Sequence, residues 1–97
     1  MLKNFRTYQL ALKLYEESQS YSLRPHLKDQ LDRAASSIVL NLAEGAAKPT
    51  ERDRKKFYYI ALGSCREVQA IVELAKLTEL TEIVDGVGAH LYRLCKA

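Results

Sequence analysis

Glu44 and Glu67 are the two carboxylates that helical spacing carries toward inner apolar faces, and a pair of carboxylates can divide acid and base work between them. Their neighbours suggest another use. Gln30, Arg33, Ser37, Asn41 and Glu44 form one polar strip, and Ser64 and Glu67 lie on a later segment. A partly buried carboxylate must find cations or donors, and these residues supply both. No cleft-forming motif or cofactor signature accompanies the two glutamates. The sequence therefore predicts a structural polar network of Arg33, Asn41, Glu44, Ser64 and Glu67, with no catalytic residue.

Other chemistries find less support. Di-iron bundles need Glu-x-x-His pairs, but Leu23 and Val87 stand three residues before His26 and His90. Cys65 and Cys95 form no Cys-x-x-Cys unit and have no adjacent histidine, so neither zinc binding nor a thiol nucleophile is indicated; two reduced core thiols are expected. The stretch GVGAHL, residues 86–91, begins like a dinucleotide loop but lacks the third glycine and a preceding strand. No metal and no cofactor is expected.

Charge is more informative in its distribution than in its total. Lysine and arginine number 15 against 12 aspartates and glutamates, a net charge of +3. Residues 48–56 concentrate Lys48, Arg52, Arg54, Lys55 and Lys56 against Glu51 and Asp53, a local +3, and leave the rest of the chain close to neutral. Clustered cations attract phosphate backbones through counterion release, largely without base identity. Tyr58 and Tyr59 adjoin the run and could stack on bases.

These residues must be positioned by helices. The chain is 97 residues long, which suits a single domain spanning 1–97. No apolar run approaches the roughly 18 residues of a membrane span, and the start MLKNFRTYQL has no signal-peptide core. A soluble, cytoplasmic protein with no membrane contact is expected. Four helical segments are legible and no strand-like alternation of useful length. The first runs from about Phe5 to Tyr21, with Arg6, Gln9, Lys13, Glu16, Glu17 and Ser20 on one polar arc and an apolar arc wider than one packed face requires. Pro25 opens the second, whose inward stripe is Leu27, Leu31, Ala34, Ile38 and Leu42; Leu40 and Ala43 lie away from it, and Gly45 and Pro49 are expected to stop it. Thr50 and Asp53 resemble a capping box for the third, with Phe57, Ala61, Ser64, Val68, Ile71, Val72 and Ala75 inward. The fourth begins near Thr81. Ala34, Ala35 and Ser37 facing Ala61, Gly63 and Ser64 predict a close approach of the second and third helices. Short connections favour antiparallel neighbours, giving an all-α, antiparallel up-down four-helix bundle.

The pattern QLDRAASSIVLNLAEG (30–45), a basic linker and KFYYIALGSCREVQ (56–69) resemble the four-helix bundle proteins encoded in 23S ribosomal RNA intervening sequences. The opening FRTYQLALKLYEES and the closing VGAHLYRLCK fit as well, so the resemblance spans nearly the whole chain. It implies a homopentameric ring of antiparallel bundles. A related branch comprises accessory proteins of diversity-generating retroelements, which bind nucleic acid and a reverse transcriptase. On that pattern Arg33, Asn41, Glu44, Gly45, Ser64 and Glu67 carry over as architectural residues. The expected function is a non-enzymatic RNA- or DNA-binding ring whose cations Lys48, Arg52, Arg54, Lys55 and Lys56 contact phosphates. The alternative is an oligomeric protein-interaction scaffold without direct nucleic-acid contact.

Overall fold

The structure is a computed structural model and describes residues 2–97. Among the described residues it is all-α, with four helices and no strand: α1 Arg6–Ser18, α2 Pro25–Ala46, α3 Glu51–Leu74 and α4 Thr81–Lys96, with short 3₁₀ turns at Leu2–Asn4 and Thr78–Leu80. Each helix packs on its neighbours in the chain, and α1 closes on α4. Paired contacts fix how the helices meet. Ser37 meets Ser64 across α2 and α3. Tyr59 reaches Cys95, and Gln69 reaches Asp85, across α3 and α4. Thr7 meets His90 across α1 and α4, where Tyr21 beyond α1 reaches Glu79.

Helix starts follow their local chemistry. Pro25 occupies the first turn of α2, where its missing N–H has no helical partner. The Thr50 hydroxyl accepts the Asp53 backbone N–H at 3.2 Å and caps α3. At the far end of α3, Lys76 takes the left-handed conformation with φ 59°. The Leu77 N–H donates to the Val72 carbonyl at 2.9 Å and the Lys76 N–H to that of Glu73 at 3.3 Å, which closes a Schellman motif. Leu77 and Val72 are both buried, completing the hydrophobic contact of that motif.

Leu14, Leu31, Ile38, Leu42, Val68, Leu80, Val84, Val87 and Leu91 form the centre of one core. The expected stripes supply most of it. Cys65 and Tyr58 join it from α3, whereas Ser64 and Phe57, expected inward, are only half-buried. Two polar residues are buried on α1, each with a partner: Ser18 donates to the Tyr15 carbonyl at 2.7 Å, and Thr7 lies 3.3 Å from His90 Nδ1.

Two glycine expectations are corrected. Gly45 does not stop α2, which continues to Ala46. It is buried against α3, and a β-carbon there would meet Tyr58 Cε1 at 2.8 Å and Phe57 Cβ at 3.0 Å. Gly63 serves no close approach within the chain, since a β-carbon there would meet nothing within 4 Å. Of the small residues expected at the α2–α3 approach, Ala34, Ala35 and Ala61 are buried.

Candidate nucleic-acid interface

Asn41 and Glu44 lie in the last two turns of α2, and the cations begin after its end at Ala46, so all five lie at one end of the molecule. Capping by Thr50 fixes the first turn of α3, and Arg52, Arg54, Lys55 and Lys56 radiate from it. Arg52 and Lys56 are exposed, whereas Lys48, Arg54 and Lys55 are half-buried. Arg54 Nη1 donates to the Lys48 carbonyl at 2.9 Å, tying the linker to α3. Lys48 Nζ lies 5.1 Å from the Phe57 ring centroid and 4.0 Å from Glu44. Lys55 pairs with Glu51 at 3.3 Å and also donates to the Ala97 carbonyl; Lys56 pairs with Asp53 at 3.7 Å. Arg52 has no ion pair among the described residues. Ion pairs as open to solvent as these contribute little to stability.

The fold adds cations that linear spacing does not reveal. Phe5 packs on Tyr58 with ring centroids 6.1 Å apart, which brings the start of α1 with Lys3 and Arg6 to this end. The contact of Lys55 with Ala97 brings the last turn of α4, with Arg93 and Lys96. The opposite end holds Glu16, Glu17, Asp32, Glu79 and Glu82, gathered by Gln19 bonding Asp32 at 3.0 Å and Tyr21 bonding Glu79 at 3.2 Å. Arg24, Lys28 and Lys76 also lie at that end, Lys28 paired with Asp32 at 3.3 Å. Glu44, Glu51 and Asp53 lie among the cations at the other, so the two ends differ in the sign of their charge excess. Only the α3 part of the basic end forms a sequence run, and for that reason the other cations escape a linear reading.

The two tyrosines beside the run separate. Tyr58 is 7% exposed, and its burial raises the phenol pKa above the usual tyrosine value although the Arg54 charge opposes this. It packs against Phe5 and Gly45 and is unavailable for stacking. Tyr59 is 49% exposed and presents its ring to solvent.

Within the chain, the expected polar network contracts to serines and one asparagine. Ser37 Oγ and Ser64 Oγ lie 2.8 Å apart, and Asn41 Nδ2 donates to the Ser37 carbonyl at 2.8 Å and hydroxyl at 3.1 Å. Ser37, absent from the expected set, is its centre. Arg33, Glu44 and Glu67 are exposed and bond to none of these three residues. Glu44 and Glu67 therefore do not face the interior as the spacing suggested. Among the described residues, no group of three or more His, Cys, Asp or Glu side chains could hold a metal ion. Among the described residues, no helix is long and apolar enough to cross a membrane.

The family model for the 23S rRNA-intervening sequence protein matches residues 4–95. The chain belongs to that family. The 23S rRNA-intervening sequence protein match includes every residue of the α2–α3 polar cluster and all five cations of the run, while Lys3 and Lys96 at the basic end fall just outside it. No curated protein and no solved structure matches the chain.

Proposed function

We propose that the protein is a non-enzymatic nucleic-acid-binding module, an antiparallel up-down four-helix bundle that works as a homo-oligomeric ring and uses its basic end to hold phosphate backbones. One observation carries this reading: Lys48, Arg52, Arg54, Lys55 and Lys56 share an end of the molecule with Lys3, Arg6, Arg93 and Lys96, away from the acidic cluster. Such a segregated charge steers polyanions and orients the bundle on them. The family description names a ribosomal RNA intervening sequence, which is compatible with RNA association.

Assembly is supported by surfaces the chain leaves uncovered. Leu40 on α2 is 65% exposed and Ile60 on α3 is 51% exposed, and both belong to a face otherwise made of small and polar residues. A shallow apolar groove lined by Leu12, Tyr15, Ser36, Val39 and Leu40 runs between α1 and α2. The groove shares Leu40 with that face and extends it toward α1, and a head-to-tail contact, the kind that closes rings, sets this surface against a different one on the next copy. The family resemblance supplies the number five, and five copies would raise the local +3 of the run to about +15. Arg33, Glu44 and Glu67 then act between copies, where exposed charges can find partners.

Fluorescence anisotropy against single-stranded RNA and duplex DNA at two salt concentrations tests the reading. Replacing Arg52, Arg54, Lys55 and Lys56 by Gln should leave helicity intact, lower affinity sharply and flatten the salt slope. The absence of wild-type binding at low salt would replace the nucleic-acid reading with the protein-interaction scaffold, whose apolar face is the same Leu40 and Ile60 surface. A protein partner such as a reverse transcriptase would dock there.

A further inference from the structure

Exposed tyrosines are unevenly distributed on this molecule. Tyr59 on α3 is 49% exposed and Tyr92 on α4 is 51% exposed. Both lie toward the basic end, on the face where α3 packs against α4. Tyr59 reaches across the helix pair, its hydroxyl donating to the Cys95 carbonyl at 3.4 Å, one turn beyond Tyr92. Cations bracket the two rings along the same face. At one side Lys55 bonds the Ala97 carbonyl and pairs with Glu51 at 3.3 Å. There Lys96 Nζ stands over the Tyr92 ring 5.5 Å from its centroid, a position that a stacked base would take from it. At the other side Arg66 lies across α4 at Gly88, one turn before Tyr92: a β-carbon on Gly88 would come within 3.3 Å of its Nη1.

Arg66 is also oriented. Its Nη1 donates to Gln69 Oε1 at 2.9 Å, and Gln69 Nε2 donates to Asp85 Oδ1 at 2.9 Å. This chain holds the guanidinium against the helix pair while the residue remains exposed. From Lys55 to Arg66 the strip measures on the order of 16 Å along α3 at about 1.5 Å per residue. Its order is cation, aromatic rings, cation. No carboxylate stands between the rings and Arg66, and Asp85 lies beyond it, tied to Gln69.

We propose that this α3–α4 face is a stacking platform for unpaired nucleic-acid bases, with Tyr59 and Tyr92 taking bases and Lys55, Arg66 and Lys96 taking the flanking phosphates. The inference rests on the nucleic-acid reading above and narrows its ligand to single strands. Duplexes hide their base faces, whereas an unpaired strand offers every base to an aromatic ring, and interleaved cations follow its backbone. Stacking uses a π-face that all bases share, so the platform tolerates sequence, and none of its contacts requires the 2′-hydroxyl. RNA and DNA single strands should both bind.

The test uses the full chain with three probes of equal length: an unstructured RNA strand, a DNA strand of the same sequence, and the corresponding DNA duplex. Both strands should bind more tightly than the duplex at equal salt. Combining Tyr59→Ala with Tyr92→Ala should weaken strand binding about tenfold or more, at an unchanged salt slope and with duplex binding unaffected. The corresponding double Phe variant, which keeps both rings, should retain strand affinity, and circular dichroism should show wild-type helicity for both variants. Since the chain has no tryptophan, its tyrosine emission should be quenched by bound strand and less so in the Ala variant. A wild type that binds strand and duplex equally, with the Ala variant unchanged on both, overturns the platform and leaves the basic-end reading standing. A wild type that binds none of the probes overturns both.

Discussion

Gly45 lies so close to Tyr58 that a β-carbon on it would stand 2.8 Å from Cε1 of the ring. The same β-carbon would lie 3.0 Å from Phe57 Cβ, an atom next to the backbone that cannot swing away. The glycine of the Asn-Leu-Ala-Glu-Gly element therefore allows the last turn of α2 to sit on the first turns of α3, directly behind the cations. Gly45→Ala forces apart two helices that also carry the linker, and overpacking of this kind costs about 1–3 kcal/mol. Urea denaturation should show a lowered midpoint. Because the basic end is built on this contact, nucleic-acid affinity should fall with stability. A wild-type midpoint would mean that Tyr58 turns aside and that α2 and α3 yield the small shift Phe57 Cβ requires without cost.

The cluster at the middle of α2 and α3 gives a contrast between buried and exposed polar groups. Ser37 Oγ is 2.8 Å from Ser64 Oγ and 3.1 Å from Asn41 Nδ2, so Ser64→Ala removes one of its two side-chain partners. A loss of about 1 kcal/mol is expected, and Asn41→Leu should cost a similar amount. Glu67 is exposed. At protein concentrations low enough to dissociate any assembly, Glu67→Ala should change folding stability by less than about 0.5 kcal/mol. Equal penalties for Ser64→Ala and Glu67→Ala in dilute denaturation would show that the glutamate belongs to the intrachain network.

Lys76 holds φ 59° at the end of α3, a conformation that costs an ordinary residue about 1–2 kcal/mol and glycine almost nothing. Its side chain is exposed, so replacing it removes no packing. Lys76→Gly should therefore raise stability by up to about 1 kcal/mol, reduced by the greater freedom of glycine in the unfolded chain. Lys76→Ala, which keeps the strain, should not stabilise. Thermal denaturation of the three proteins decides it.

Helix positions and core stripes were readable because they depend on periodicity: Leu31, Ala34, Ile38 and Leu42 are buried as their spacing indicates. The Thr50 cap was readable because its chemistry is local. What depends on how helices meet was not. Glu44 and Glu67 flank apolar stripes on a helical wheel, and only the rotation of α2 and α3 about their axes turns both outward. Tyr58 and Tyr59 are indistinguishable in a basic run, yet 100° of helix separates a core ring from a surface one. Lys3, Arg6, Arg93 and Lys96 are scattered in sequence and become one surface through the contacts of Phe5 with Tyr58 and Lys55 with Ala97.

Cys65 is fully buried on α3, and desolvation pushes its thiol up to about 11, outweighing the opposing Arg66 charge. Its Sγ lies 3.6 Å from the Val84 carbonyl, a contact that favours the neutral thiol. Cys95 is buried too, and its pKa is raised by desolvation against the charges of Lys96 and Lys55. A raised folded pKa means that the contribution to stability is complete below the unfolded thiol value near 8.5 and is lost as pH rises through the folded value. Stability should thus be insensitive to these groups between pH 6 and 8 and fall from about pH 9 toward 11, with Tyr58 adding loss in the same direction. In Cys65→Ala the absolute stability drops because a cavity forms, but the alkaline slope should become shallower. Denaturant midpoints across this pH range check the slope, and an unchanged slope in the variant would remove Cys65 from the account. Neither native thiol should react with an alkylating reagent at pH 8.

Assembly remains the property on which most of the proposed function depends. Leu40 at 65% exposure and Ile60 at 51% lie on adjacent helices, separated by the Ser37 and Ser64 contact. Gly63, beside Ile60 and open to solvent, would let another helix approach closely, and it has no such role within the chain. Apolar side chains on a small-residue background gain little in water and much against a second bundle, at about 25 cal/mol per Å² of apolar surface covered. Wild-type protein should therefore show a light-scattering mass several times that of one chain. Leu40→Lys and Ile60→Lys should each reduce it without loss of helicity, since both side chains already stand in solvent. A heterologous ring sets the shared Leu40 and Ile60 face against a different surface of the next copy, so each variant spoils that face and mixing them restores no intact one. If the interface instead pairs like with like, a dimer results and the ring is excluded while the bundle and its basic end persist. A monomeric wild type would limit each molecule to its own patch, and the salt slope of nucleic-acid binding would then be that of a single basic end.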